Sequence, residues 1–349
     1  MEALTRRLLN DYQHGFPLAP APFEAIAHTL CTDSDTVIQR LRHLQRAGAV
    51  SRVGPVFRPN TVGASTLATM SLPPRELERV AALVNTFPEV NHNYEREHRY
   101  NLWFVVTARD TASLEHTLAQ IEHRCGHPLL SLPLLRDYHI DLGFPMQLDT
   151  QPDPAGTEPV VDDTASAHEQ AGNGYHDTGS DDLIEAVQEG LPLVARPYLE
   201  IARSLGWSEA RVIETLRRML EGGVIKRLGI VVRHHELGYQ ANAMVVWDIP
   251  DFRTDELGVQ LGRQDCVTLC YQRPRRLPDW PYNLFCMVHG RDRTQVEHCV
   301  HDMRRTLGIE TVPHEILFSG RRFKQRGARY RGIEKEETGK WEVRGHGRY

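Results

Sequence analysis

At 349 residues, 40% hydrophobic and 25% charged, the chain has the balance of two or three ordinary folded domains. No apolar run approaches the roughly 18 residues of a membrane helix. The opening MEALTRRLLNDYQHG lacks the apolar stretch and cleavage site of a signal peptide, so a cytoplasmic location is expected, and the formal charge of −5 disfavours a protein whose main task is coating nucleic acid.

In chain order, residues 22–30 (PFEAIAHTL) carry apolar side chains at helical spacing. After the break CTDS a second helix follows, with Val37, Ile38, Leu41 and Leu44 on one face. Ser34 or Asp35 is placed to cap it, Gly48 ends it, and residues 50–53 (VSRV) read as the wing strand of a winged helix-turn-helix. The same order returns over 197–205, with Ser208 as cap, then over 212–220, Gly222-Gly223 and 224–227. Val37, Ile38, Leu41, Leu44, Gly48, Val50, Arg52, Gly54, Arg58 and Gly63 match Val212, Ile213, Leu216, Met219, Gly223, Ile225, Arg227, Gly229, Arg233 and Gly238. Every pair is 175 positions apart, and ten matches in register over 27 residues mark an internal duplication.

Behind each wing the pattern reads strand, helix, strand, strand, helix, strand. The spans are 65–72, 74–86, 90–96, 101–107, 112–124 and 133–140, then 241–249, 254–262, 267–273, 283–288, 295–307 and 310–318. This predicts an α+β chain: a tandem duplication of a winged helix-turn-helix plus a ferredoxin-like βαββαβ domain. Helices cover one face of each sheet, so the bare faces are expected to meet and make the two copies a pseudo-dimer. The expected domains are 1–63 and 64–146 in the first copy and 181–238 and 239–330 in the second. An acidic flexible linker over 147–180 and a basic tail over 331–349 complete the chain. Cys31, Cys125, Cys266, Cys270, Cys286 and Cys299 show no CxxC and no zinc-like spacing, so all six are read as reduced, without a structural metal.

One hairpin in each βαββαβ unit stands out. The first copy reads VNHNYEREHRYNLWFVV and the second VTLCYQRPRRLPDWPYNLFCMVHG. Both place Tyr-x-Arg on the incoming strand (Tyr94, Arg96; Tyr271, Arg273) and Tyr-Asn-Leu-aromatic on the outgoing one (Tyr100 to Trp103; Tyr282 to Phe285). In a strand His92, Tyr94 and Arg96 share one face while Asn91, Asn93 and Glu95 share the other. A winged helix-turn-helix followed by βαββαβ resembles the Lrp/AsnC regulators. With these hairpins, the chain resembles the siroheme decarboxylases, Lrp-like enzymes whose two homologous subunits are separate or fused. The resemblance covers all but the linker and the tail. It implies loss of the acetate carboxyl groups on rings C and D of siroheme, giving 12,18-didecarboxysiroheme in heme d1 or siroheme-dependent heme biosynthesis. A histidine two places before the hairpin tyrosine, as His92 stands, is implied in the second subunit type as well; here Leu269 takes that place.

Siroheme carries eight carboxylates around an iron macrocycle, so its site needs cations, flat walls and an imidazole. No organic cofactor is expected: the macrocycle takes the electrons and iron arrives with the substrate. His92 and His98 are the candidate proton donors. Tyr94, Arg96, Arg99, Tyr100, Tyr271, Arg273, Trp280, Tyr282, Arg322 and Lys324 are the candidate substrate-binding residues, with His98 and His289 as candidate axial ligands to the substrate iron. Trp103 and Phe285 read as core, His234-His235 receives no role, and Arg136 with His139 are cations on a final strand. The rival readings are an Lrp-type regulator and a non-catalytic heme sensor. Asp33, Ser34 and Asp35 open one reading helix and Ser208 and Glu209 the other, and acids there repel phosphate. No specific DNA partner and no membrane are therefore expected, while fused chains retain the option of pairing further.

Overall fold

The computed structural model describes residues 3–58, 60–140, 180–232 and 241–330. Of the linker expected over 147–180, residues 147–179 lie outside them, as do His234-His235 and the tail 331–349, while Ser180 already belongs to a helix. The first copy runs α1 (Ala3–Asp11), α2 (Pro22–Thr29), α3 (Ser34–Arg46), β1 (Val50–Phe57), β2 (Ala64–Met70), α4 (Pro74–Asn85), β3 (Val90–Arg96), β4 (Leu102–Ala108), α5 (Thr111–Cys125), β5 (Leu129–Pro133) and β6 (Arg136–Ile140). The second runs α6 (Ser180–Val187), α7 (Pro197–Leu205), α8 (Glu209–Glu221), β7 (Ile225–Val232), β8 (Ala241–Trp247), α9 (Thr254–Gly262), β9 (Val267–Gln272), β10 (Leu284–Gly290), α10 (Arg293–Thr306) and β11 (His314–Gln325). The duplicated α+β architecture expected from the sequence is the one observed. Helices α1 and α6 are additional to the elements expected from the sequence.

Helix α3 is capped by Asp33, not Ser34 or Asp35: the Asp33 carboxylate accepts from Thr36 N at 2.8 Å. Ser208 caps α8 as expected, accepting from Arg211 N at 3.2 Å. The wings are longer than expected, and they pair with one another: β1 runs antiparallel to β7, with Gly54 opposite Gly229. The two helix-turn-helix units thereby share one core, in which Phe23 and Leu41 pack with Tyr198, Leu216 and Ile230. Phe16 N donates to Leu228 O at 3.1 Å, and Ile230 N to Tyr12 O at 2.8 Å. This approach requires Gly229, where a Cβ would lie 2.0 Å from the Gln13 carbonyl oxygen.

The remaining strands form one sheet in the order β5-β2-β4-β3-β11-β8-β10-β9-β6. Each run of four has the split-βαβ order, and the runs exchange their ends. The expected single strand over 133–140 divides: β5 pairs with β2, and β6 crosses to β9 of the second copy. Reciprocally, β11 is longer than expected, pairing first with β8 and then, from Ser319 to Gln325, with β3 of the first copy. The edge strands β3 and β9 need a second partner, and the other copy's chain supplies it. Alternating side chains divide between three clusters. Met70, Leu102, Phe104 and Val106 pack under α4 and α5; Val245, Trp247, Leu284 and Val288 pack under α9 and α10. Between the bare faces lie Trp103, Leu132, Met244, Val246, Phe285 and Leu317. The copies therefore do meet sheet against sheet.

Cys266 and Cys299 are joined by a disulfide, against the expectation of reduced thiols; Cys266, just before β9, and Cys299, in the middle of α10, have their Cα atoms 6.7 Å apart. Cys270 and Cys286 face each other across β9 and β10 with sulfurs 3.6 Å apart. Among the described residues, no helix is long and apolar enough to cross a membrane.

Candidate active site

A cavity of about 790 Å³ lies between the two sheets and beneath the paired wings. Six arginines line it: Arg52 from β1, Arg227 from β7, Arg96 from β3, Arg273 just after β9, and Arg322 and Arg326 from β11 and its continuation. His92 and His289 line it too, and among its lining residues there is no Asp or Glu. Such a concentration of one sign, walled by Val56, Phe57, Leu67, Trp103, Met244 and Phe285, suits a flat polyanion.

Arg96 and Arg227 are buried, Arg52, Arg273 and Arg326 are half-buried, and Arg322 is exposed. Arg96 is 8% exposed; its Nη1 donates to Leu317 O and Ser319 Oγ, each at 3.0 Å, and its Nη2 to Met287 Sδ at 3.8 Å. Arg273 Nη1 donates to Leu132 O at 2.6 Å. The Nε atoms of Arg52, Arg96, Arg273 and Arg326 are buried without a hydrogen-bond partner, as is Nη2 of Arg326. Buried donors of this kind are costly unless something accepts from them. Burial pushes Arg96 and Arg273 down to about 10, which leaves both charged at neutral pH.

Strand alternation sets His92, Tyr94 and Arg96 in a row facing the cavity, with the His92 and Tyr94 rings stacked at 6.2 Å. Asn93 faces away and donates to Ala81 O and Asn85 Oδ1 of α4. His289 is held by Thr268, whose Oγ1 lies 3.1 Å from His289 Nδ1. Burial lowers both histidines to about 4, with Arg52 adding to the effect at His92 and Arg96 at His289. Carboxylates brought into the cavity would counter the arginine charge and so raise both, while burial would remain.

The structure divides the expected site. His92, Tyr94, Arg96, Tyr271, Arg273, Arg322 and His289 line the cavity; His98, Arg99, Tyr100, Trp280, Tyr282 and Lys324 do not. The β3–β4 turn lies six residues beyond His92, roughly 20 Å along an extended strand. At that end His98 Nε2 pairs with Glu315 at 2.7 Å, and Arg99 with Asp279 at 3.2 Å. Tyr282 OH donates to Glu315 at 2.7 Å. Trp280, expected to bind substrate, is 1% exposed and meets Trp103 edge-on at 5.2 Å, Tyr282 at 5.0 Å and Tyr100 at 5.8 Å. It plugs the far end of the sandwich. Trp103 and Phe285 belong to this core as expected, and they also wall the cavity. Lys324 turns to the end of α4, donating to Asn85 O and Phe87 O, with its amine pushed down to about 8 by burial. Arg136 pairs with Asp255 outside the cavity.

Arg52, Arg227 and Arg326 were missed. The signal was present: Arg52 and Arg227 occupy the same place in the two wings, 175 positions apart. A repeated arginine on a wing reads as ordinary surface charge until the wings are seen to pair.

Comparison with known proteins adds to this geometry. The family model "AsnC-like ligand binding domain" matches residues 62–139 and 236–324. A second, "Siroheme decarboxylase NirDL-like HTH domain", matches 5–50 and 180–226. The siroheme decarboxylase NirDL subunit of Paracoccus denitrificans is 43% identical over 331 residues, 94% of this chain and 97% of that one. The siroheme decarboxylase of Hydrogenobacter thermophilus is 28% identical over 327 residues, 93% and 94% of the two chains. Two crystal structures of siroheme decarboxylase NirDL superpose with TM-scores of 0.68 and 0.66 at 27% and 26% identity; each covers 94% of this chain, and they cover 94% and 93% of their own. The second of them is a complex with an iron-uroporphyrin III analogue. The chain belongs to the siroheme decarboxylase family.

Proposed function

We propose that this chain removes two acetate carboxyl groups from siroheme, one molecule being held in the cavity between the two copies. The observation that carries this reading is the lining itself: six arginines, two histidines and no carboxylate around a space of about 790 Å³. Decarboxylation breaks the bond between the methylene and carboxyl carbons; the electron pair enters the macrocycle, CO2 leaves, and the methylene takes a proton to become methyl. The macrocycle serves as the electron sink, so no added organic cofactor is required. The arginines hold the carboxylates by charge-assisted bonds. His92 and His289 supply and recover protons, their pKa values rising as carboxylates enter. Apolar walls exclude water around the departing group, which disfavours its charge. Activity in the cytoplasm and the absence of a specific DNA partner are parts of the same reading.

Anaerobic incubation of the purified protein with siroheme, followed by mass spectrometry, tests it. The expected result is loss of two CO2 per macrocycle with nothing else added. An unchanged mass, with only a shifted Soret band, would make the protein a binder and defeat the proposal.

A further inference from the structure

The wall of the cavity continues beyond the end of β11. After Gln325 the chain runs on as a strap, residues 326–330, in which Arg326, Gly327, Ala328 and Tyr330 all line the cavity. Apart from Leu134, Gln188 and Arg273, every other lining residue belongs to a strand. Those strands are fixed by ladders of backbone hydrogen bonds, whereas the strap is fixed by separate ties. Arg326 N donates to Asn91 O at 2.9 Å. Thr107 Oγ1 donates to Arg329 O at 3.0 Å, and Tyr330 N to Gln188 Oε1 at 2.8 Å. Arg329 also pairs with Glu189, just after α6, whose side chain is 60% exposed. A pair open to water on one side adds little to this hold.

The strap nevertheless has a fitted seat. Tyr330 is buried and meets Phe57 of the first wing edge-on at 6.3 Å. Gly327 lies against the other wing contact, Arg52, where a Cβ would stand 2.9 Å from Nη1. At Arg326 the fit is incomplete: Nε and Nη2 are buried without a hydrogen-bond partner. The strap in place thus holds two unused donors of a cation that lines the cavity.

A macrocycle with eight carboxylates has to pass into this space. Parting the wings or the sheet breaks a ladder, while lifting the strap breaks isolated bonds and withdraws one aromatic ring. Resting on the function proposed above, we propose that residues 326–330 are the gate of the cavity. The strap lifts to admit siroheme, and a carboxylate of the bound substrate, accepting from Nε and Nη2 of Arg326, holds it down. That carboxylate meets these donors only when the strap is seated, so binding favours the closed state. The seated strap excludes water from the departing carboxyl group, and its lifting releases the product.

Hydrogen exchange and stopped-flow spectroscopy on the full-length protein test this. In the free protein the Arg326 and Tyr330 amides are expected to exchange about 100-fold faster than those of the β1–β7 pair. Siroheme, added without oxygen, is expected to slow the strap amides about tenfold or more. In Arg326→Ala this slowing is expected to be lost although siroheme still shifts the Soret band and the β1–β7 amides stay protected. Tyr330→Ala is expected to speed siroheme release about tenfold. Strap amides as slow as the β1–β7 amides in the free protein, or unchanged by siroheme, would overturn the gate, and so would unaltered release from Tyr330→Ala. Slowing that survives in Arg326→Ala would overturn the carboxylate lock. A protein that binds siroheme, seats its strap and yields no CO2 fails the decarboxylase reading and not this one.

Discussion

Arg96 and Leu317 belong to different copies of the duplicated unit, yet the guanidinium of one donates to the carbonyl of the other at 3.0 Å. Arg96 is therefore both a cation facing the cavity and a tie between the sheets. Arg96→Ala is expected to raise the dissociation constant for siroheme about 10- to 100-fold, the worth of a charge-assisted hydrogen bond. Arg96→Lys is expected to recover part of the affinity, keeping the charge but not the fork. A Soret titration of each variant reads this, and Arg273→Ala is expected to behave like Arg96→Ala.

The histidines separate by position. His92→Ala is expected to cut turnover at least tenfold, a barrier increase of about 1.4 kcal/mol or more, and His289→Ala is expected to do the same. His98→Ala is expected to leave turnover within about twofold, because His98 is occupied by Glu315 at 2.7 Å outside the cavity. Single-turnover rates on the three variants decide. A His98 variant as slow as His92→Ala would put the proton donor at the wrong end of the hairpin.

Protonation is expected to be coupled to binding. Burial holds His92 and His289 at about 4, so both are neutral at pH 7, and incoming carboxylates raise both values. Binding near pH 7 is therefore expected to take up protons. Calorimetric titration in two buffers of different ionisation enthalpy measures the uptake. The same shifts fix a stability trend. Both pKa values are lower folded than the ordinary value of about 6.5, so the unfolded chain binds more protons between pH 6.5 and 4. Their contribution is present above about pH 6.5 and is lost as the pH falls toward 4, which denaturant titrations across that range can follow.

Trp280 fills the end of the sandwich opposite the cavity. Trp280→Ala is expected to cost about 3–5 kcal/mol of stability, the usual penalty for emptying a large aromatic site in a core. Urea denaturation of variant and parent gives the difference. A change below about 1 kcal/mol would mean that the aromatic cluster contributes little to holding the copies together.

Nucleic-acid binding is expected to be weak and independent of sequence. The wings are consumed in the β1–β7 pair, and Arg52 and Arg227 line the cavity. Asp33 caps α3, and Glu209 at the start of α8 pairs with Arg196. Fluorescence anisotropy with duplexes of unrelated sequence, at rising salt, is expected to give one common curve that collapses at physiological salt.

The sequence by itself determined the duplication, the order of elements and the face of each strand, because those follow from local periodicity and a repeat of fixed spacing. The row His92, Tyr94, Arg96 was legible from alternation alone, and so was the break in symmetry at Leu269. Which end of the hairpin bears the site was not. His98, Arg99 and Trp280 have the chemistry of ligand-binding residues, but whether they face a cavity depends on what the other copy places opposite them, and Glu315 and Trp103 are far away in sequence. The exchange of β6 and β11 was equally hidden, since a strand's composition does not say which edge it joins. Only the tertiary structure gathered Arg52, Arg227 and Arg326 with the hairpin arginines. Their shared surroundings arise from wing pairing and strand exchange between copies, contacts with no local signature in the chain.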